Sequence, residues 1–251
     1  MKENVALKTE IKVSIIVPIY NVEEFLEKCL DTIVNQTLRE IEIICVNDGS
    51  LDGSSEILSR YVGKYPQIIV INQENLGPSM ARNNGMAIAR GEYIGFVDSD
   101  DWIELNYFEE LFRAAQKYDA DIACCNFFRV YPRRKARAVM KIIEREGVHK
   151  TTRDKFNVTD TPKSNYVFNK IYRRSMLEEN KIQFKPGVYF EDIIFTPQVV
   201  FLAKKIAATP LTFYSYRVNE NSIIRGKQNN KKRLDYIAAR WNFIDFANKN
   251  H

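Results

Sequence analysis

Apolar and polar positions change period in a regular way along the first half of the chain. Lys12–Pro18 (KVSIIVP) is apolar on both faces, the pattern of a parallel strand buried between two layers. Val22–Gln36 follows with Phe25, Leu26, Cys29 and Ile33 at helical spacing. Ile41–Val46 (IEIICV) reads as a second strand, Asp52–Tyr65 as a helix and Ile68–Asn72 as a strand. Pro78–Arg90 reads as a helix with proline in its first turn, where the missing N–H costs nothing. Tyr93–Val97 (YIGFV) is a strand, Glu104–Tyr118 a helix and Asp121–Phe127 a strand. This alternation predicts an α/β domain whose central sheet is mainly parallel, with helices on both faces.

The pattern breaks near Arg129, where RVYPRRKAR is basic and irregular. Beyond it, Ala138–Gly147 reads as a strand, and Asn169–Asn180 and Glu191–Lys205 as helices. Thr196-Pro197, a good cap pair, blurs where the second helix starts. Leu211–Tyr216 is a strand. Lys231–Asn248 is an amphipathic helix carrying Leu234, Ile237, Ala238, Trp241 and Ile244 on one face.

The chain has 251 residues, 45% of them apolar, which is enough for a large core without disulfide or metal staples. Its four cysteines lie in apolar runs, where they pack as small hydrophobes; they are expected to be reduced, as in a cytosolic protein. Only two histidines occur, His149 and His251, which argues against a His-rich zinc site and a His-dependent triad. Met1–Lys12 has no continuous apolar segment, and Val13–Ile19 and Ile193–Ala203 are far short of a membrane span, so a soluble or peripheral protein is expected. A formal charge of +5 permits an anionic ligand or membrane surface. The basic clusters Arg129–Arg137 and Arg225–Arg233 are candidates for the latter, although each could simply be a solvated face. No nucleic-acid partner is expected. Dinucleotide (GxGxxG), P-loop, GxSxG and HExxH signatures are all missing.

Candidate chemistry lies in two acidic turns that follow strands directly. Asn47-Asp48-Gly49-Ser50 follows IEIICV, and Asp98-Ser99-Asp100-Asp101 follows YIGFV. Ligands of open α/β sheets bind beyond the carboxyl ends of the strands, so both turns belong on one edge. Asp98 and Asp100, one residue apart, can face a single hard cation whose shell phosphate and water complete. Asp100 or Asp101 could instead cap the Glu104–Tyr118 helix. NDGS is also ordinary turn chemistry. Arg82 lies in the first turns of a helix, where it could meet an anion or a carboxylate partner. Glu191-Asp192 could supply a general base and a partner that tunes it, or complement a helix dipole.

Taken in order, VSIIVPIYN (Val13–Asn21), NDGS (Asn47–Ser50), NLG (Asn75–Gly77), ARN (Ala81–Asn83), GEYIGFVDSDD (Gly91–Asp101) and Glu191-Asp192 resemble the family-2 glycosyltransferases with the GT-A fold. The resemblance is strong over residues 12–126 and extends to about residue 225. It implies a GT-A, Rossmann-like nucleotide-diphospho-sugar transferase fold. Residues 1–126 would form the donor half and 127–225 the acceptor and base half of the same domain. Residues 226–251 would be a C-terminal amphipathic helix, at which a longer chain could have been cut. It also implies transfer with inversion from a nucleotide-sugar, usually a UDP-sugar, to a glycan or lipid-linked acceptor in cytoplasmic surface-polysaccharide synthesis. Pro18 and Tyr20 would line the base pocket, Asp48 would accept a hydrogen bond from uracil, and Arg82 would touch the nucleotide. Asp98 would approach the ribose or the metal. Asp100 would be the direct ligand of Mn²⁺ or Mg²⁺. Asp192, beside Glu191, would be the general base. Asn169-Lys170 and Tyr216-Arg217 resemble acceptor-side motifs. The QxxRW motif of processive relatives is missing, Ala239-Arg240-Trp241 sharing only its last two residues, so transfer of one or a few sugars is expected. Some relatives place a late His on the metal or diphosphate; none occurs between Lys150 and Asn250, so water or phosphate would fill that place. Two other functions compete: a non-catalytic nucleotide-sugar binding module and a sugar nucleotidylyltransferase. The missing Gly-rich triphosphate loop counts against the latter.

Overall fold

A computed structural model describes residues 10–131, 133, 135–218 and 230–250. The first half alternates as the periodicity predicts: β1 (Val13–Ile19), α1 (Glu23–Val34), β2 (Ile41–Asp48), α2 (Ser54–Lys64), β3 (Ile68–Gln73), α3 (Pro78–Ile88), β4 (Tyr93–Phe96), a two-residue β5 (Trp102–Ile103) and α4 (Tyr107–Tyr118). The second half comprises β6 (Ile122–Tyr131), β7 (Ala136–Met140), β8 (Gly147–His149), α5 (Thr152–Val158), β9 (Lys170–Arg173), α6 (Arg174–Glu179), α7 (Glu191–Leu202), β10 (Ile206–Arg217) and α8 (Asn230–Lys249).

All but two of the strands follow one another in the order β3-β2-β1-β4-β9-β6-β10-β5, with β7 added on β6 and β8 on β10. Pairings among β3, β2, β1 and β4 are parallel, as is β6 with β10. Antiparallel pairings enter with the short strands β5, β7, β8 and β9. Side chains alternate across each strand, so β1 sends Val13, Ile15, Val17 and Ile19 to one face and Ile16 to the other. The first face packs on α1, α2 and α4 through Leu26, Leu30, Leu58, Phe108 and Leu111. The second packs on α3, α6 and α7 through Ala81, Leu177, Phe195 and Val199. All four cysteines are buried and unbridged.

The strand order reverses at β1. β2 and β3 step outward on one side, and β4 returns on the other. β4 pairs β1 only as far as Ile16, and the Val97 N–H then donates to the Ile16 carbonyl. Pro18 shares the parity of Ile16, so its missing N–H faces this unpaired side. That is how a proline sits in a central strand without losing a ladder bond. The gap past β1 and β4 is a topological switch point, where such sheets bind ligands.

Three segments depart from the periodicity, while the helix read from Glu191 begins there. Residues 169–180, read as one helix, form β9 and then the short α6, because β9 inserts between β4 and β6. The 138–147 segment splits into the end of β7, an irregular stretch and the start of β8. There the buried Asn126 amide donates to the carbonyls of Ile143 and Pro210 and accepts from the N–H groups of Ile142 and Ile143. Pro197 lies inside α7, which starts at Glu191. Finally, α8 turns its predicted apolar face outward: Leu234, Ile237 and Trp241 are exposed, Trp241 by 60%. It packs instead through Ala239 on Ile193 and Ile194, and through Phe243 and Phe246 against Phe201.

Two glycines make opposite predictions. A Cβ on Gly91 would lie 2.5 Å from the Ser14 backbone nitrogen of β1, whereas one on Gly63 in α2 meets nothing within 4 Å. Gly91→Ala should therefore destabilise by about 1–3 kcal/mol, the usual cost of overpacking. Gly63→Ala should be stabilising by about 0.5–1 kcal/mol, because glycine is a poor helix residue. Thermal melts should show Tm moving in opposite directions, by roughly 2–4 °C per kcal/mol.

Candidate functional site

The carboxyl ends of β1, β2 and β4 converge at the switch point. Past β1, Tyr20 is 44% exposed at the mouth of the site, and Pro18 is half-buried beneath it. Asn21 adopts a left-handed conformation (φ 49°), its side-chain oxygen accepting the Leu51 N–H and its own N–H donating to Ser50 Oγ. These bonds tie the end of β1 to the NDGS turn. Within that turn Asn47 Oδ1 accepts the Ser50 N–H, and Gly49 takes a positive φ of 71°.

Asp48 is 3% exposed, and its carboxylate is already well supplied. Oδ1 accepts the Leu76 N–H and Gln73 Nε2, and Oδ2 accepts the Gly77 N–H. Asp48 thus clamps the NLG turn that launches α3, and Oδ2 keeps one lone pair for a further donor.

The DSDD turn after β4 is held from three directions. Cys29 Sγ of α1 approaches the Asp98 carbonyl, and the Asp98 N–H donates to the Tyr214 hydroxyl. Tyr214 in turn donates to Asp101 Oδ2, while Asp101 Oδ1 accepts the Arg217 N–H. Arg217 Nε donates to the Asp100 carbonyl, and its guanidinium stacks on Phe25 and Trp102. Asp101 is therefore a buried anchor; burial, reinforced by Asp100, pushes its carboxyl well above the usual range. The pairing of β10 with β5 places Tyr214 and Arg217 here, more than a hundred residues from the turn they hold. The Tyr216-Arg217 pair points to Arg217, but no local pattern marks Tyr214 as more than a strand residue.

Asp100 sits differently. Among the described residues its carboxylate has no side-chain donor; burial, with Asp98 beside it, pushes it up to about 6. No group of three or more His, Cys, Asp or Glu among the described residues is arranged to hold a metal alone. Two carboxylates are nevertheless the share that a protein usually supplies to Mg²⁺ when phosphates complete the shell. A desolvated, donor-poor Asp100 next to Asp98 fits a hard cation shared with a diphosphate.

Arg82 of α3 reaches the same place from the other face of the sheet. It is 7% exposed. Nη2 donates to Asp98 Oδ1 at 3.0 Å and Nη1 to Glu191 Oε1 at 2.6 Å, with Phe184 5.3 Å from the guanidinium carbon. Nε is buried without a partner. Glu191 and Asp192 open α7, directly after the left-handed Phe190 (φ 64°). Asp192 Oδ1 accepts the Ile193 N–H. Burial first, then the charge of Glu191, push the Asp192 carboxyl up to about 7 against the opposing pull of Arg82. A near-neutral carboxyl at the edge of a cleft suits general-base work.

Asn169 and Lys170 lie deeper. Lys170 donates to the Tyr166 carbonyl and to Asn169 Oδ1, and burial drives its ammonium down to about 8. The basic run 129–137 is partly committed to the fold: Arg129 donates to the Tyr166 hydroxyl, and Arg137 donates to Glu104 and Ser215 while stacking on Phe128. Pro132, Arg134 and residues 225–229 of the second basic cluster lie outside the described residues. No helix among the described residues is long and apolar enough to cross a membrane.

The sequence profile of the family described as Glycosyl transferase family 2 matches residues 14–180. Putative glycosyltransferase EpsH of Bacillus subtilis is 35% identical over 233 residues, covering 86% of this chain and 63% of that protein. Poly(ribitol-phosphate) beta-glucosyltransferase of Bacillus spizizenii is 36% identical over 220 residues, covering 84% of this chain and 33% of its own length. The chain thus spans less than two thirds of either relative. Among solved structures, S. aureus TarS 1-349 in complex with UDP-GlcNAc superposes with a TM-score of 0.76 at 24% identity, covering 87% of this chain and 62% of that one. With the profile spanning both the strand-end turns and Arg82, and the sheet shared with TarS, the chain belongs to glycosyl transferase family 2 and carries the GT-A fold.

Proposed function

We propose that this chain moves a sugar, with inversion and one or a few units at a time, from a UDP-sugar to a hydroxyl of a glycan or lipid-linked acceptor. The process served is synthesis of a cell-surface polymer at the cytoplasmic side of the membrane. The observation that carries this reading is the Arg82 bridge from Asp98, in the turn that also holds Asp100, to Glu191, the neighbour of Asp192. The names of the relatives support it: one is a beta-glucosyltransferase of a poly(ribitol-phosphate), and the TarS structure holds UDP-GlcNAc. In this reading residues 1–126 belong to the donor half and 127–225 to the acceptor half, with α8 (Asn230–Lys249) added after them.

In this reading Pro18 and Tyr20 border the nucleobase, and Asp48 offers uracil its remaining lone pair. Asp98 and Asp100 hold a divalent cation, Mn²⁺ or Mg²⁺, together with the diphosphate. When bound, that cation supplies Lewis-acid neutralisation of charge developing on the leaving diphosphate. Asp192 takes the proton of the acceptor hydroxyl as its oxygen bonds to the anomeric carbon. The electron pair of the breaking C–O bond leaves with the nucleoside diphosphate. A single displacement requires the base opposite the leaving group, and Asp192, on the second half of the chain, meets that need. Inversion is checked by NMR of the product anomer; retained configuration overturns single displacement.

UDP with Mn²⁺ at about 100 times Kd should stabilise by about 2.7 kcal/mol. That raises Tm by roughly 5–10 °C for a chain of this size. Asp100→Ala should abolish the shift, and its persistence would remove Asp100 from the cation site.

Asp192→Asn should lower the rate by about 10²–10⁴-fold, the range for a lost general base. The wild-type rate should rise as pH passes through about 7, where Asp192 deprotonates. The stability consequence has the opposite sense. The folded value lies above the ordinary one, so stability is fully present below about pH 4 and falls as the buried carboxyl is forced to ionise, up to about pH 7. Asp192→Asn should therefore melt above wild type at pH 8, with the gap closing toward pH 4. An equal gap at both pH values would count against a raised Asp192.

A further inference from the structure

We propose that Arg82 is a positioning residue that couples the donor turn to the general base, rather than a contact of the nucleotide. The proposal rests on the glycosyl-transfer reading of the site and adds a role that the family resemblance does not imply.

The geometry carries it. The guanidinium is nearly out of solvent, and both terminal nitrogens are engaged, one by a donor-turn carboxylate at 3.0 Å and the other by the neighbour of the base at 2.6 Å. Phe184 covers one face at 5.3 Å. Phe184 is itself fixed to α3, since its N–H donates to Asn83 Oδ1 and Asn83 Nδ2 donates to its carbonyl. A planar fork so held cannot turn toward a nucleotide without abandoning a partly buried carboxylate. Its bridge instead sets the separation of the turn after β4 from the start of α7, two elements joined by no strand pairing.

The bridge is also electrostatic. Three charged groups act on Asp192: Glu191 on its own helix, Arg82 from α3 and Asp98 from the turn after β4. Nearby, α8 brings Asp235, which accepts the Tyr189 N–H, and Lys231 and Lys232, which lie over the Tyr189 ring. Arg82 is the cation of the first set. It favours ionised Asp192, and Glu191 opposes it. Removing either one must move Asp192 in opposite directions.

The experiment uses Arg82→Gln and Glu191→Gln in the full chain. Three readouts are needed: UDP affinity with Mn²⁺, kcat at saturating donor, and the Asp192 carboxyl titration by ¹³C NMR in the ligand-free protein. Positioning predicts UDP affinity within about 3-fold of wild type in both variants. It predicts kcat down by about 10²-fold in Arg82→Gln, the scale of a misplaced reacting group. Asp192 should titrate higher in Arg82→Gln and lower in Glu191→Gln. If Arg82→Gln does not fold, Glu191→Gln decides: a lower Asp192 with retained UDP affinity supports the proposal, and an unmoved Asp192 overturns it. A tenfold or greater loss of UDP affinity in Arg82→Gln with kcat preserved makes Arg82 a nucleotide contact and also overturns it. Wild-type protein that binds no nucleotide would instead fail the glycosyl-transfer reading, a separate result.

Discussion

Five carboxylates, those of Asp98, Asp100, Asp101, Glu191 and Asp192, crowd the end of the sheet, most of them substantially removed from water. Buried like charges repel strongly in a low dielectric, so this end of the molecule stands only because countercharge and N–H donors reach it from elsewhere. Arg82 meets two of the five from α3. Tyr214 and the Arg217 amide meet a third from β10, and the Ile193 amide at the start of α7 meets a fourth. The supports come from opposite ends of the chain. The fold of both halves and the state of the site are therefore one electrostatic problem.

The solution is deliberately incomplete at two places. Asp48 and Asp101 are well supplied with donors and act as framework, one shaping the NLG turn and the other the DSDD turn. Asp100 and Asp192 are left short, and burial raises both toward neutrality. A carboxylate short of donors beside a second acid invites a cation. One short of donors beside a compensated acid invites a proton. In the proposed reading, the environments of two chemically identical side chains separate their roles, as pairs of carboxylates in enzymes commonly do.

Legibility in the sequence follows interaction range. β1, β2 and β4 are buried on both faces and read directly as apolar runs, and the acidic turns announce themselves by following those runs. Pro18 and Tyr20, Asp48, and Asp98 and Asp100 fall at the same edge, as the strand order requires, and Arg82 ties Glu191 to it. β9 escapes because four residues are too few to show a period beside α6. The outward face of α8 escapes for another reason: the helix carries apolar residues on two sides, and periodicity does not tell which side meets α7. Tyr214 escapes because its hydroxyl matters only once β10 pairs with β5.

The two halves of the chain differ in how their geometry is stored. In the first half, strand ladders place the strand-end turns. In the second half, long-range staples join the ladder of β6 and β10: Asn126 holds the stretch after β7, Lys155 Nζ donates to the Phe201 and Ala203 carbonyls, and Thr196 Oγ1 donates to the Asn165 carbonyl. Such side-chain-to-backbone bonds leave no periodic trace, because each depends on a carbonyl brought near by the rest of the fold. Arg82, which reaches Asp98 in one half and Glu191 in the other, is the point at which the two are bound together.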